Sequence, residues 1–219
     1  MRFRSRPTES YEDLNVWPAF TDLMSNAFMI IILLLSLALV KPLILKASAK
    51  KVTPQGVPPI LVIEDEGAYR FASGSAEIPK PMDTYIRTKI VPEIERNTKE
   101  YQINVVELIG HTDGQANGSV TSNLDLNLEK VANSQVPMSK LNSGSNADLG
   151  LMRALAVVRL LREIQTKKGQ MKGLKFRSYS AAQLILPNGD FAAVNRNPDA
   201  TRRRIEIRFT RPGKPITVK

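Results

Sequence analysis

Cysteine is absent from this 219-residue chain, and histidine occurs once, at His111. Without thiols there is no structural disulfide, no thiolate metal site and no cysteine nucleophile. One imidazole does not make a zinc centre, so no metal and no cofactor is expected. Catalysis would have to rest on carboxylates, a Ser/Lys arrangement or that one ring. No close pair of acids sits in a cleft-forming context, and the chain is not read as an enzyme. Acidic residues are outnumbered, 21 against 31 Lys and Arg, for a formal charge of +10. That excess suits nucleic acid, anionic lipid or an anionic polymer such as the cell wall equally well, so charge selects no partner. The length leaves room for one domain of ordinary size with appendages.

What is present is concentrated at one place. Leu23 to Val40 is an 18-residue run without a charge and with three polar side chains, Ser25, Asn26 and Ser36. At ~1.5 Å per residue it makes roughly 27 Å of helix, close to the ~30 Å of bilayer hydrocarbon. Trp17 and Phe20 extend it to headgroup level, so residues 17–40 are read as a transmembrane helix. A cleaved signal peptide is the competing reading, with Arg2, Arg4 and Arg6 as its basic start and Ala47-Ser48-Ala49 as its cleavage site. Against it stand the length of the apolar run, the acids Glu9, Glu12, Asp13 and Asp22, and the lysines 46 and 50 flanking the small residues. Three basic residues before the run face four after it (Lys41, Lys46, Lys50, Lys51), so charge does not orient the helix. Asp22 has two readings. It can cap the helix N-terminus, or it can be a functional intramembrane carboxylate, since Asp22, Ser25, Asn26 and Met29 share one helical stripe.

Residues 41–59 read as a Lys/Pro/Gly connector, and 60–219 as a folded domain. A strand is expected at 60–64 and a helix at 82–97 with a kink or late first turn at Pro92. A second strand, 103–109, runs into Gly110-His111-Thr112-Asp113-Gly114. Residues 115–145 read as an excursion loop with a helical turn or two around 124–131. A strong amphipathic helix follows over 146–166, then strands at 176–181 and 204–209. The order predicts an α+β domain: a two-layer sandwich with helices on one face of a mixed sheet.

Three separated motifs in this domain resemble those of the OmpA-like peptidoglycan-binding domain. They are Phe71-x-x-Gly74-Ser75-Ala76-Glu77-Ile78, then Gly110-His111-Thr112-Asp113-Gly114, then Asn146-x-x-Leu149-Gly150-x-x-Arg153-Ala154, with Arg203-Arg204-Ile205-Glu206-Ile207 closing the series. The resemblance implies that Asp113 and Arg153 clamp the diaminopimelate group of a wall stem peptide, with Thr112, Asn146 and Arg203 beside them. An acid and a guanidinium fork suit a ligand end that carries both an ammonium and a carboxylate. His111 is read as support for the loop. The chain departs from the family pattern in the 115–145 excursion, in Gly150 where serine is usual and in Arg202 where asparagine is usual.

The N-terminal run Trp17-Pro-Ala-Phe20-Thr21-Asp22-Leu23-Met24-Ser25 is similar to the start of the transmembrane helix in MotB/ZorB-type motor anchors. That resemblance makes Asp22 the ion-carrying residue, with proton as the expected ion. It implies a peptidoglycan-anchored stator subunit of an ion-driven motor in a bacterial inner membrane. The partners it implies are a second copy of this chain, peptidoglycan, and a multi-span MotA/ZorA-like channel subunit (roughly five copies around two of this chain), with no nucleic acid. Residues 1–16 would be a cytoplasmic tail and the C-terminal domain periplasmic. The short chain, a connector without an amphipathic plug and the excursion lean towards ZorB-like antiphage defence over flagellar motility. The alternative is a passive tether between membrane and wall, in which Asp22 is a dispensable cap.

Overall fold

The computed structural model describes residues 17–49, 56–118 and 120–218. The expected tail 1–16 and residues 50–55 of the connector lie outside them. The chain divides into two units, Met1–Val52 and Thr53–Lys219.

The first unit contributes one helix, α1 (Trp17–Ala49), of 33 residues. Phe20–Leu39 within it has a mean hydropathy of 2.1 and is long and apolar enough to cross a membrane. The helix continues nine residues past Val40, into the stretch read as connector. Two of its hydroxyls satisfy themselves: Thr21 Oγ1 donates to the Trp17 carbonyl at 2.8 Å and Ser36 Oγ to that of Leu33 at 2.9 Å.

The second unit is α+β, as expected. Its strands are β1 (Leu61–Glu64), β2 (Val105–His111), β3 (Lys175–Ala182) and β4 (Arg204–Thr210), in the order β1-β4-β2-β3. β4 is antiparallel to both its neighbours, whereas β2 and β3 run parallel, so the sheet is mixed. The helices are α2 (Lys80–Tyr85), α3 (Val91–Glu100), α4 (Leu124–Ala132) and α5 (Asn146–Lys168). Period-two alternation turns Ile63, Val106, Leu108, Ile205, Ile207 and Phe209 to one face of the sheet. There they join Met82, Ile86, Ile94, Val157, Leu161 and Ile164 from the helices in one core. The opposite face is polar, with Glu107 beside Arg177, and Glu206 bonded to Arg204 and Arg208.

The kink anticipated at Pro92 takes a specific form. α2 passes into α3 through a wide turn, Ile86–Ile90, just ahead of the proline. Proline offers no N–H and its ring crowds the carbonyl four residues back, and a π-type turn relieves both. α5 begins where Ser145 accepts a hydrogen bond from the Asp148 amide at 3.2 Å and ends at Gly169, whose φ of 66° is the left-handed conformation glycine adopts freely. Among its described residues the excursion contains an α-helix, α4, of nine residues and a 3-10 turn at Met138–Lys140. Its Leu124 and Val131 pack with Leu141, Met152, Leu155 and Ala156 in a second, smaller apolar cluster.

Candidate functional site

The strand order brings three loops to one end of the sheet. Arg204 pairs with Glu64 across β1/β4 and with His111 across β2/β4. The residues just beyond those positions are therefore neighbours: Asp65 after β1, Arg203 before β4, and Thr112 and Asp113 after β2. The Asp65 amide donates to the Arg203 carbonyl at 3.0 Å, and the Thr112 amide to that of Ala182 at 2.8 Å. The register of β2 and β3 slips by one residue between Gly110 and His111. Ala182 takes a φ of 49° there, as a bulged residue does.

Helix α5 supplies the fourth wall and is pressed against β2 through two glycines. A Cβ on Gly110 would strike the Gly150 carbonyl, and one on Gly150 would meet the Ser180 hydroxyl and, at 2.9 Å, the Gly110 carbonyl. Gly150, a departure from the family pattern, is thus the residue that permits the close helix–strand approach. That approach carries Asn146 and Arg153 to the loops. Asn146 Nδ2 donates to the Gln115 carbonyl at 2.8 Å and to the Asp113 carbonyl at 3.4 Å, so this residue acts as a strut for the loop.

The charged groups alternate in sign. Arg203 Nη1 donates to Asp113 Oδ2 at 2.9 Å, and Arg203 Nε lies 3.8 Å from Asp65 Oδ2. Arg153 Nη1 donates to that same Asp65 oxygen at 2.8 Å. The run is therefore Asp113, Arg203, Asp65, Arg153. Arg153 also donates through Nε to the Ser75 carbonyl at 3.1 Å and through Nη2 to that of Ala72 at 3.4 Å, and its guanidinium lies 4.9 Å from the centre of the Phe71 ring. Burial, seconded by Arg203, draws the Arg153 pKa below the usual guanidinium value, while Asp65 and Asp113 oppose the shift. Asp113 is fixed further by two backbone amides, Gln115 to Oδ1 at 3.2 Å and Asp199 to Oδ2 at 3.1 Å.

Thr112, Asp113, Asn146, Arg153 and Arg203, the five wall-binding residues expected from sequence, all line one cleft of about 340 Å³. A volume of that order admits a small ligand. Thr112 Oγ1 is buried there without a hydrogen-bond partner, a polar atom that a ligand could satisfy. Sequence reasoning missed Asp65, the partner of Arg153. It stands in the acidic run Glu64-Asp65-Glu66, and strand parity was the available signal: two residues after buried Ile63, Asp65 points the same way and is 3% exposed. His111 is buried, with Nε2 3.4 Å from Glu206 Oε1.

In the other unit, α1 begins at Trp17, which puts Asp22 inside the helix and excludes it from the cap position. Among the described residues, the side chains of Asp22, Ser25 and Asn26 have no partner, and they lie on one stripe.

No protein-family model matches this chain, and no curated protein does. Its structural neighbours include the periplasmic domain of Helicobacter pylori MotB, at 17% identity and a TM-score of 0.41 over 72% of this chain and 83% of that one. Another is the cell wall anchor of the T6SS from Pseudomonas aeruginosa, at 18% identity and a TM-score of 0.35 over 70% and 81%. A third is the OmpA-like domain of FopA1 from Francisella tularensis, at 12% identity and a TM-score of 0.34 over 70% and 75%.

Proposed function

We propose that this chain is a wall-anchored stator subunit of an ion-driven motor in a bacterial inner membrane, the cleft holding peptidoglycan and Asp22 carrying the ion. The observation that supports the anchor is the convergence of all five motif residues in one cleft with alternating charge. A diaminopimelate end presents an ammonium and a carboxylate on one carbon. Asp113 and Asp65 attract the first, and Arg153 and Arg203 the second, in a half-enclosed site where water competes weakly.

The ion-carrying part rests on Asp22. An acid within an apolar helix is costly in hydrocarbon unless it faces a protein partner or a water-filled path. Its stripe with Ser25 and Asn26 gives that partner a polar seam, here assigned to a multi-span MotA/ZorA-like subunit. Protonation there neutralises the carboxylate, and release to the other side restores it. Each charge that crosses gains ~2.3 kcal/mol per 100 mV, so a large mechanical step draws on several transfers. A passive tether needs no such acid, and its account of Asp22 as a cap does not fit a position in the second turn of α1. The N-terminus is assigned to the cytoplasm and the sandwich to the periplasm, where the wall is. ZorB-like antiphage defence is favoured over flagellar motility, on the 115–145 excursion.

The test is Asp22→Asn, expressed together with a multi-span MotA/ZorA-like channel subunit. Assembly and wall binding are expected to persist while proton conductance falls to the background of the partner alone. Conductance retained in that variant would remove Asp22 from the ion path.

A further inference from the structure

Resting on the reading of the cleft as a wall site, we infer that the 115–145 excursion extends recognition from the zwitterionic end of the ligand to the peptide groups of the stem behind it.

The described parts of the excursion, 115–118 and 120–145, form a cross-braced arm. Its outgoing and returning limbs are cross-bonded: Asn117 Nδ2 donates to Ser143 Oγ at 2.7 Å, Asn123 Nδ2 to the Lys140 carbonyl at 2.9 Å, and the Asn142 amide to Asn123 Oδ1 at 2.8 Å. Leu124, Val131 and Leu141 clamp it to α5, and Arg159 and Arg162 donate to the carbonyls of Val136 and Ala132 at 3.2 and 3.0 Å. An arm held this way keeps its shape without a ligand, which lowers the ordering cost of binding.

Both limbs reach the cleft, and what they place there is neutral. Gln115, Ala116, Asn117 and Gly118 line it from one limb, and Leu141, Asn142 and Ser143 from the other. Gln115 and Asn142 are exposed, and neither side-chain amide has a hydrogen-bond partner among the described residues. Each offers a donor and an acceptor together, the complement of a peptide group. The arm contains no aromatic residue between Gln115 and Ser145, and so no flat platform on which a sugar ring could stack. Peptide is therefore the ligand class this wall fits, beside a charged centre that takes the zwitterionic end.

The experiment compares detergent-solubilised full-length protein with the Gln115→Ala/Asn142→Ala double variant. Calorimetry measures binding of free diaminopimelate and of a synthetic stem tetrapeptide that contains it. The ratio of tetrapeptide to diaminopimelate affinity is expected to fall by roughly tenfold in the variant, two hydrogen bonds of ordinary strength being lost. An unchanged ratio, with both affinities kept or both lowered together, overturns the inference while the wall reading stands. Glycan strands stripped of their stems that compete with the tetrapeptide overturn it also. If the wild-type protein binds neither diaminopimelate nor tetrapeptide, the wall reading itself fails, and the inference with it.

Discussion

Arg153 illustrates how one side chain serves fold and cleft together. Three of its five N–H donors are engaged within the protein, to Asp65, Ser75 and Ala72, and its flat face lies against Phe71. Asp65 supplies the balancing charge from a position as buried as the arginine. Asp65→Ala leaves that guanidinium buried and unpaired, and is expected to lower unfolding stability by about 3 kcal/mol, read from the denaturant midpoint. Arg153→Lys keeps the charge but not the planar fork, so it should lower the melting temperature and weaken diaminopimelate binding together. His111 makes a prediction about pH. Burial, then Arg204, hold its pKa below that of a free imidazole, against the opposing pull of Glu206. The unfolded chain therefore takes up a proton before the folded one does. Stability is complete above pH ~6.5 and declines as pH falls through that value. Burial lifts the Glu206 carboxyl, but hydrogen bonds from Arg208 and Arg204 outweigh it and leave its pKa below the usual one. That contribution is present above the ordinary carboxylate range and is lost at lower pH still. The melting temperature should fall between pH 7 and 5, and His111→Asn should flatten that slope. Of these residues, Asp113, Arg153 and Arg203 were legible through their motifs. Asp65 was hidden because three adjacent acids look alike until the strand parity picks one.

At the level of elements, the parts with strong local signals were readable. α5 has its serine cap, its apolar stripe and its terminal glycine, and β4 alternates charged with apolar residues. The wide turn before α3 was not readable in form, since Pro92 announces a disturbance without saying how the backbone resolves it. The hairpin between β3 and β4 escaped notice, although Pro187-Asn188-Gly189-Asp190 is good turn sequence and Gly189 takes a φ of 92°. It is tied down from the next strand, where Arg204 Nη2 donates to the Leu186 carbonyl at 3.1 Å. Gly150 appeared in sequence as a missing serine and proves to be a contact point between two backbones. Gly150→Ala should push α5 away from β2, at a cost of about 2 kcal/mol, measured by chemical denaturation. The same displacement moves Asn146 and Arg153 relative to Asp113, so diaminopimelate affinity should fall with stability.

For the whole molecule, α+β class and an apolar anchor follow from the spacing of apolar residues, but the sheet order does not. That β4 lies between β1 and β2 is a long-range pairing which no local pattern announces, and it is the pairing that assembles the cleft. The proposed machine needs two properties on one chain, an acid in an apolar helix and a grip on the wall. The grip is the more directly measured. Full-length protein in detergent is mixed with purified sacculi and centrifuged, with free diaminopimelate as competitor. The account predicts that wild-type protein pellets with the sacculi and is released by diaminopimelate. It predicts that Asp113→Asn, still folded by circular dichroism, pellets at least about tenfold less, as loss of a charge-assisted contact requires. Equal pelleting of the two proteins, undisturbed by the competitor, would contradict it.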